Sequence, residues 1–135
     1  DQRIGVVIVK PFDVPWDTDE QPLVTAVREM TEREDLPAWQ ISPQHGDADE
    51  IVNGARQCDH LIVAMIVRPV AWHEFGLPED QKQLIERLAL DSKVTLVSLG
   101  IPAILDQFPQ IERRICAFSN VAASQHAVAE YLMRG

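Results

Sequence analysis

The segment HLIVAMIV, residues 60–67, is apolar at every position after its histidine. A strand with one wet face alternates apolar and polar residues, because successive side chains point to opposite faces. Unbroken apolarity over a strand's length predicts a strand covered on both faces, as in a parallel sheet between two layers of helices. That constrains the rest of the chain, since parallel neighbours need long crossovers, usually helices.

Elements of that kind recur along the chain. RIGVVIV (3–9) is a β-branched run of strand length. PLVTAVREMTERE (22–34) puts Leu23, Val27 and Met30 on one helical face, with Pro22 suited to the first turn. Leu36–Pro37 is expected to end that helix, because the residue before proline avoids helical geometry. AWQIS (38–42) reads as a second strand. In DADEIVNGARQCD (47–59), Asp47 is the expected N-cap, with Glu50 three residues on. PEDQKQLIERLALD (78–91) is the clearest helix: Pro78 starts it, acids fill its first turn, and Leu84, Ile85 and Leu88 share a face. KVTLVSLG (93–100) and RRICAFS (113–119) are the fourth and fifth strands, and ASQHAVAEYLMRG (123–135) is a final helix closed by Gly135. The alternation predicts one three-layer α/β domain over residues 1–135, with about five mainly parallel strands.

A chain of 135 residues has the length of one domain, and 46% hydrophobic with 24% charged residues is a globular composition. No apolar run approaches the roughly 18 residues of a membrane span. A net charge of -9, with 12 scattered basic residues, argues against a nucleic-acid partner. Cys58 and Cys116 lack metal-ligand spacing and read as small buried hydrophobes, a disulfide between them being left open. The chain opens DQRIGVV on a strand without an initiator Met, which predicts a fragment of a longer protein. The compartment, cytoplasmic or secreted, is then undecided.

Open parallel sheets bind ligands beyond the carboxyl ends of their strands. The turn after the first strand, KPFDVPWDTDEQP, has no glycine where a dinucleotide or phosphate loop needs close backbone approach. A phosphate-accepting receiver domain needs an Asp closing strand three and a Lys after strand five, where this chain has MIVRP and AFSN. No G-x-S-x-G elbow is present, and Ser98 reads as a packed strand residue. The exit of the third strand, VRPVAWHEFGLP, is the richest loop. Its Arg68, Trp72, His73 and Glu74 suit either a sugar or a polar rim against a partner domain. Lys10, Asp13, Trp16 and Asp17 belong to the same edge, as do His45 and Asp47 after strand two. A glycosidase needs two carboxyls about 5–10 Å apart, and Asp13, Asp17 and Glu74 are the acids available there. His60 falls on the opposite edge, and His126 reads as a surface residue of the last helix. No cofactor and no metal site is expected.

From residue 58 onward the chain resembles the C-terminal domain of glycoside hydrolase family 3, the family of β-glucosidases and β-N-acetylhexosaminidases. The resemblance is carried by CDHLIVAMIVRP, PEDQKQLIERL, KVTLVSLGIPAILDQFPQIERRICAFS and SQHAVAEYLMRG, in that order. They correspond to the family's valine-rich strand, its "slgnPydl" turn, its "fp" segment, a strand ending "ays" and a closing helix. The earlier half agrees in order of elements more than in letters.

The resemblance implies a flavodoxin-like α/β/α sandwich that accompanies an N-terminal catalytic barrel, which supplies the nucleophilic Asp. In the glucosidase-like branch the α/β domain contributes a Glu acid/base on a loop, with inserted Gly- and Trp-rich segments. This chain has no such insertion and looks more like the hexosaminidase branch, where the barrel carries both groups. No catalytic residue is therefore carried onto it. Its turn also departs from the family pattern: where members show "nPYd" it has Ile101, Pro102, Ala103 and Ile104, and so lacks their Tyr and Asp. The expected function is an auxiliary domain, inactive alone, whose partners are the barrel and, through it, a carbohydrate substrate. The candidate substrate- or barrel-facing residues are Lys10, Asp13, Trp16, His45, Arg68, Trp72, His73 and Glu74. The alternative is a freestanding α/β module that binds a small ligand or a protein without catalysis.

Overall fold

A computed structural model of the chain describes residues 3–10, 22–43, 46–66, 79–99, 102–117 and 122–134. The elements are β1 (Ile4–Val9), α1 (Pro22–Thr31), β2 (Ala38–Ile41), α2 (Ala48–Ala55), β3 (His60–Ile66), α3 (Glu79–Asp91), β4 (Lys93–Leu99), a 3-10 helix (Pro102–Gln107), β5 (Arg113–Ala117) and α4 (Ala122–Arg134). The five strands form one sheet in the order β2-β1-β3-β4-β5, and every pairing is parallel. Its two outer strands, β2 and β5, are also its shortest.

The apolar run of β3 is covered on both sides, as its sequence predicts. Leu61, Val63 and Met65 pack with Ile51, Val52 and Ala55 of α2 and with Leu84, Ile85 and Leu88 of α3. Ile62 and Ala64 pack on the other side with Leu23, Val24 and Val27 of α1 and with Val128, Ala129 and Leu132 of α4. Two cores thus share one sheet, each formed by the alternate residues of the central strands.

Helix ends follow local chemistry. The Asp47 side chain accepts hydrogen bonds from the main-chain N–H of Asp49 at 2.9 Å and of Glu50 at 3.3 Å, the N-cap its position predicts. Helix α1 ends earlier than expected. Glu32 takes a left-handed φ of 56°, and the amides of Glu32 and Arg33 bond back to the carbonyls of Glu29 and Arg28. This paired closure is the Schellman arrangement, built here without glycine. The stop lies at Thr31 rather than at Leu36–Pro37, whose carbonyl at Leu36 instead accepts Nε and Nη2 of Arg28 at 3.1 and 2.8 Å.

The segment after β4 is a 3-10 helix rather than a bare turn, with Gly100 and Ile101 outside the described residues. Phe108, which follows it, is fully buried and is held by its N–H to the Leu105 carbonyl at 3.1 Å. Arg114 Nη1 donates to the same Leu105 carbonyl at 3.0 Å.

Candidate functional site at the carboxyl edge of the sheet

From β1 the chain moves outward to β2 and then returns past β1 to β3. The helix leaving β1 packs in one core and the helix leaving β3 in the other. The helices that follow β1 and β3 thus lie on opposite faces of the sheet, and the β1–β3 boundary is the switch point at which open sheets of this order receive ligands.

Gln81, in the first turn of α3, is 1% exposed at this boundary. Its Nε2 donates to the Lys10 main-chain carbonyl at 2.8 Å, just past the end of β1. The Lys10 amide donates to the Ile41 carbonyl at 2.8 Å and continues the β1–β2 ladder by one step. The carboxamide orientation is set by that carbonyl, because only the NH₂ group can donate to it. Oε1 of Gln81 is then buried with no hydrogen-bond partner among the described residues. A second buried glutamine, Gln125 of α4, accepts the Leu23 N–H at 3.1 Å and satisfies one of the open donors at the start of α1.

Sequence reasoning missed both glutamines, although a signal was present. Gln81 precedes Leu84, Ile85 and Leu88 by 3, 4 and 7 positions, so helical periodicity places it on their buried face. Gln125 stands in the same relation to Val128, Ala129 and Leu132.

Of the residues expected at this edge, Lys10 and Asp47 are described, the first buried and the second exposed. Asp13, Trp16, His45, Arg68, Trp72, His73 and Glu74 lie outside the described residues, as does Asp17. The described acids here, Asp47, Asp49, Glu50, Glu79 and Asp80, are exposed and open the helices α2 and α3. Among the described residues no group of three or more His, Cys, Asp or Glu side chains could hold a metal ion. Ser98 is fully buried in β4. The hydrogen bonds described at this edge are those of the Gln81 carboxamide, the Lys10 main chain and the Asp47 cap.

The described hollows lie at the opposite edge of the sheet. One, of about 520 Å³, is lined by Arg3, Arg33, Trp39, Gly54, Gln57 and Cys58 among others. Its indole lies tightly against two glycines. A Cβ on Gly54 would come within 2.7 Å of Trp39 Cζ2, and one on Gly5 within 3.0 Å of Cζ3 and 2.8 Å of Cys58 Sγ. Burial pushes the Cys58 thiol above its ordinary range; Arg3 opposes this and Asp59 adds to it. Burial also raises Cys116, and both thiols are free. The other hollow surrounds His60.

No protein-family model and no curated protein sequence matches the chain. Among solved structures it is similar to a glycoside hydrolase family 3 β-N-acetylglucosaminidase from Paenibacillus sp. str. FPU-7, with a TM-score of 0.74 at 18% identity over 98% of this chain. It is similar also to the β-glucoside phosphorylase BglX, with a TM-score of 0.60 at 15% identity over 96% of this chain. The chain spans 25% of the first protein and 23% of the second, so the fold sits there within a much larger chain. Oxidised flavodoxin 1 from Bacillus cereus aligns over 95% of this chain and 93% of its own, with a TM-score of 0.50 at 11% identity. At these identities the shared property is the architecture. With its 2-1-3-4-5 parallel order and two covered faces, the chain is a flavodoxin-like α/β domain.

Proposed function

We propose that this chain is the auxiliary α/β domain of a family 3 glycoside hydrolase and works beside a catalytic barrel of the same polypeptide. The observation that carries this reading is the alignment of 98% of the chain with one quarter of a family 3 β-N-acetylglucosaminidase. The ordered series of family-like segments from Cys58 to Gly135 is a second support for it, from sequence. In this reading the barrel supplies the nucleophile and the acid/base. The α/β domain turns its carboxyl edge toward the barrel, with Lys10, Asp13, Trp16, His45, Arg68, Trp72, His73 and Glu74 facing the barrel or bordering the sugar. The hydrogen bond of Gln81 to the Lys10 carbonyl ties β1 to α3 at that same edge.

Two measurements test the reading. The reading frame upstream of Asp1 is expected to encode a barrel of about 300 residues, and the full-length protein to hydrolyse an aryl β-N-acetylglucosaminide or β-glucoside that the isolated chain leaves intact. Turnover by the isolated chain, or a reading frame without a barrel, overturns it. In the full-length enzyme, Arg68→Ala or Trp72→Ala should raise KM or loosen domain docking while chemistry persists. Loss of all turnover with the fold intact would show instead that these side chains act in catalysis.

A further inference from the structure

The amino-terminal edge of the sheet carries a separate arrangement of charge. His60 and Lys93 open β3 and β4, and Arg113 opens β5. The ladder register pairs His60 with Lys93 and Thr95 with Arg113. Paired residues of a parallel ladder project to the same face, as do residues two apart along a strand. His60, Lys93, Thr95 and Arg113 therefore share one face at one end of three neighbouring strands. They line a hollow of about 510 Å³, with Ser92 and Gln110 also in its wall. That volume falls within the roughly 300–1,000 Å³ of small-ligand sites.

The charge here runs against that of the protein as a whole, whose net value is -9. Among the described residues neither Lys93 nor Arg113 has a carboxylate within ion-pair distance. Glu112 is the acid in the described lining. Other nearby charges are engaged elsewhere: Asp91 meets Arg56 at 3.3 Å, Asp59 accepts the Arg3 main-chain N–H at 3.0 Å, and Arg114 caps the Leu105 carbonyl. His60 Nε2 lies 2.7 Å from Oγ1 of the fully buried Thr95, which fixes the imidazole in place. Burial lowers the affinity of that ring for a proton, and Arg113 and then Lys93 lower it further, so both cations are felt at the imidazole.

A guanidinium presents a planar fork of N–H donors, an ammonium three more, and an imidazole a further one beside them. Donors of these kinds, where they meet one ligand, form short, charge-assisted bonds to a tetrahedral oxyanion. We propose that the hollow bounded by His60, Lys93, Thr95 and Arg113 binds a small multiply charged oxyanion, a phosphate or a phosphate monoester, with Arg113 and Lys93 as its charge partners and His60 as a Thr95-anchored donor. The four residues that bound it lie on three neighbouring strands of this chain. An anion seated beside His60 favours the imidazolium form, so binding is accompanied by proton uptake on that ring.

The test is an NMR titration of the chain at constant ionic strength, which holds general screening fixed. Inorganic phosphate, methyl phosphate and acetate are added in separate arms, following backbone amides and the His60 ring. Saturable shifts confined to His60, Lys93, Thr95 and Arg113 are expected with both phosphates, and an upward move of the His60 pKa. Tighter binding of methyl phosphate assigns the rest of the hollow to the esterified group, and equal binding assigns the phosphate alone. Lys93→Gln and Arg113→Gln should each weaken binding about three- to ten-fold, and Lys82→Gln on α3 should not. Diffuse shifts equal to those in acetate, an unmoved His60 pKa, or unchanged affinity in the Lys93 and Arg113 variants overturns the assignment. The His60 measurement is made on the unsubstituted chain, so the result stands even where a variant folds poorly.

Discussion

Gln81 Nε2 sits 2.8 Å from the main-chain oxygen of Lys10, a bond that ties the start of α3 to the exit of β1 across 71 residues of sequence. One buried carboxamide thereby joins the strand β1 to the helix α3.

Replacing that carboxamide separates its two ends. Gln81→Met leaves the Lys10 carbonyl without its donor but also removes the unpartnered Oε1, so a net loss of about 1 kcal/mol is expected. Gln81→Glu sets a buried carboxylate against a carbonyl and should cost about 3 kcal/mol at pH 7. Protonation restores a donor, so the penalty of Gln81→Glu should shrink toward pH 4.5. Urea unfolding at the two pH values measures both effects.

Phe108 is fully buried in the core formed with α2 and α3. Phe108→Ala should destabilise the chain by about 3–5 kcal/mol, the transfer loss together with the cavity left behind. Thermal and denaturant unfolding should agree on the size of the loss.

Gly54 lies inside α2, where alanine would ordinarily stabilise a helix by about 1 kcal/mol. Here the new Cβ would meet the Trp39 indole at 2.7 Å. Gly54→Ala is expected to destabilise by about 1–2 kcal/mol through overpacking. In a Trp39→Leu background the sign should reverse. A double-mutant cycle reads the coupling directly.

His60 binds a proton less readily when folded, through burial first and then through Arg113 and Lys93. Its folded pKa is below its unfolded value of about 6.5, so the neutral ring contributes stability that is complete above pH 6.5 and is lost as pH falls toward the folded value. His60→Gln should flatten the stability profile as pH falls below about 6.5 in a buffer free of phosphate. An unchanged slope in that variant would show that His60 is not the titrating group.

The layers of this fold were legible because β3 has no polar residue after His60, and because Leu84, Ile85 and Leu88 repeat at helical spacing. Asp47 was legible as a cap because its side chain acts on amides two and three positions away. The end of α1 was not. Its closure rests on Glu32 entering the left-handed region, a conformation that favours glycine or asparagine and that glutamate does not advertise. Gln81 and Gln125 were passed over because a polar residue on an apolar stripe looks like an interruption. Their partners, the Lys10 carbonyl and the Leu23 amide, are main-chain atoms brought near only by the tertiary fold. The His60, Lys93 and Arg113 cluster required the sheet register, since those residues lie on three separate strands. The site candidates at the carboxyl edge share only residue type and edge, and most of them fall in the stretches of sequence between β1 and α1 and between β3 and α3.

The short outer strands limit how far the sheet can grow. β2 offers 4 residues and β5 offers 5, against 7 in each of β3 and β4. A further strand laid along either margin would gain few main-chain bonds. At β5 it would also run beside Arg113 and Arg114, so two copies docking there would set like charges together. The parallel array therefore carries its own stop at both flanks, which favours a discrete particle over an open-ended ribbon.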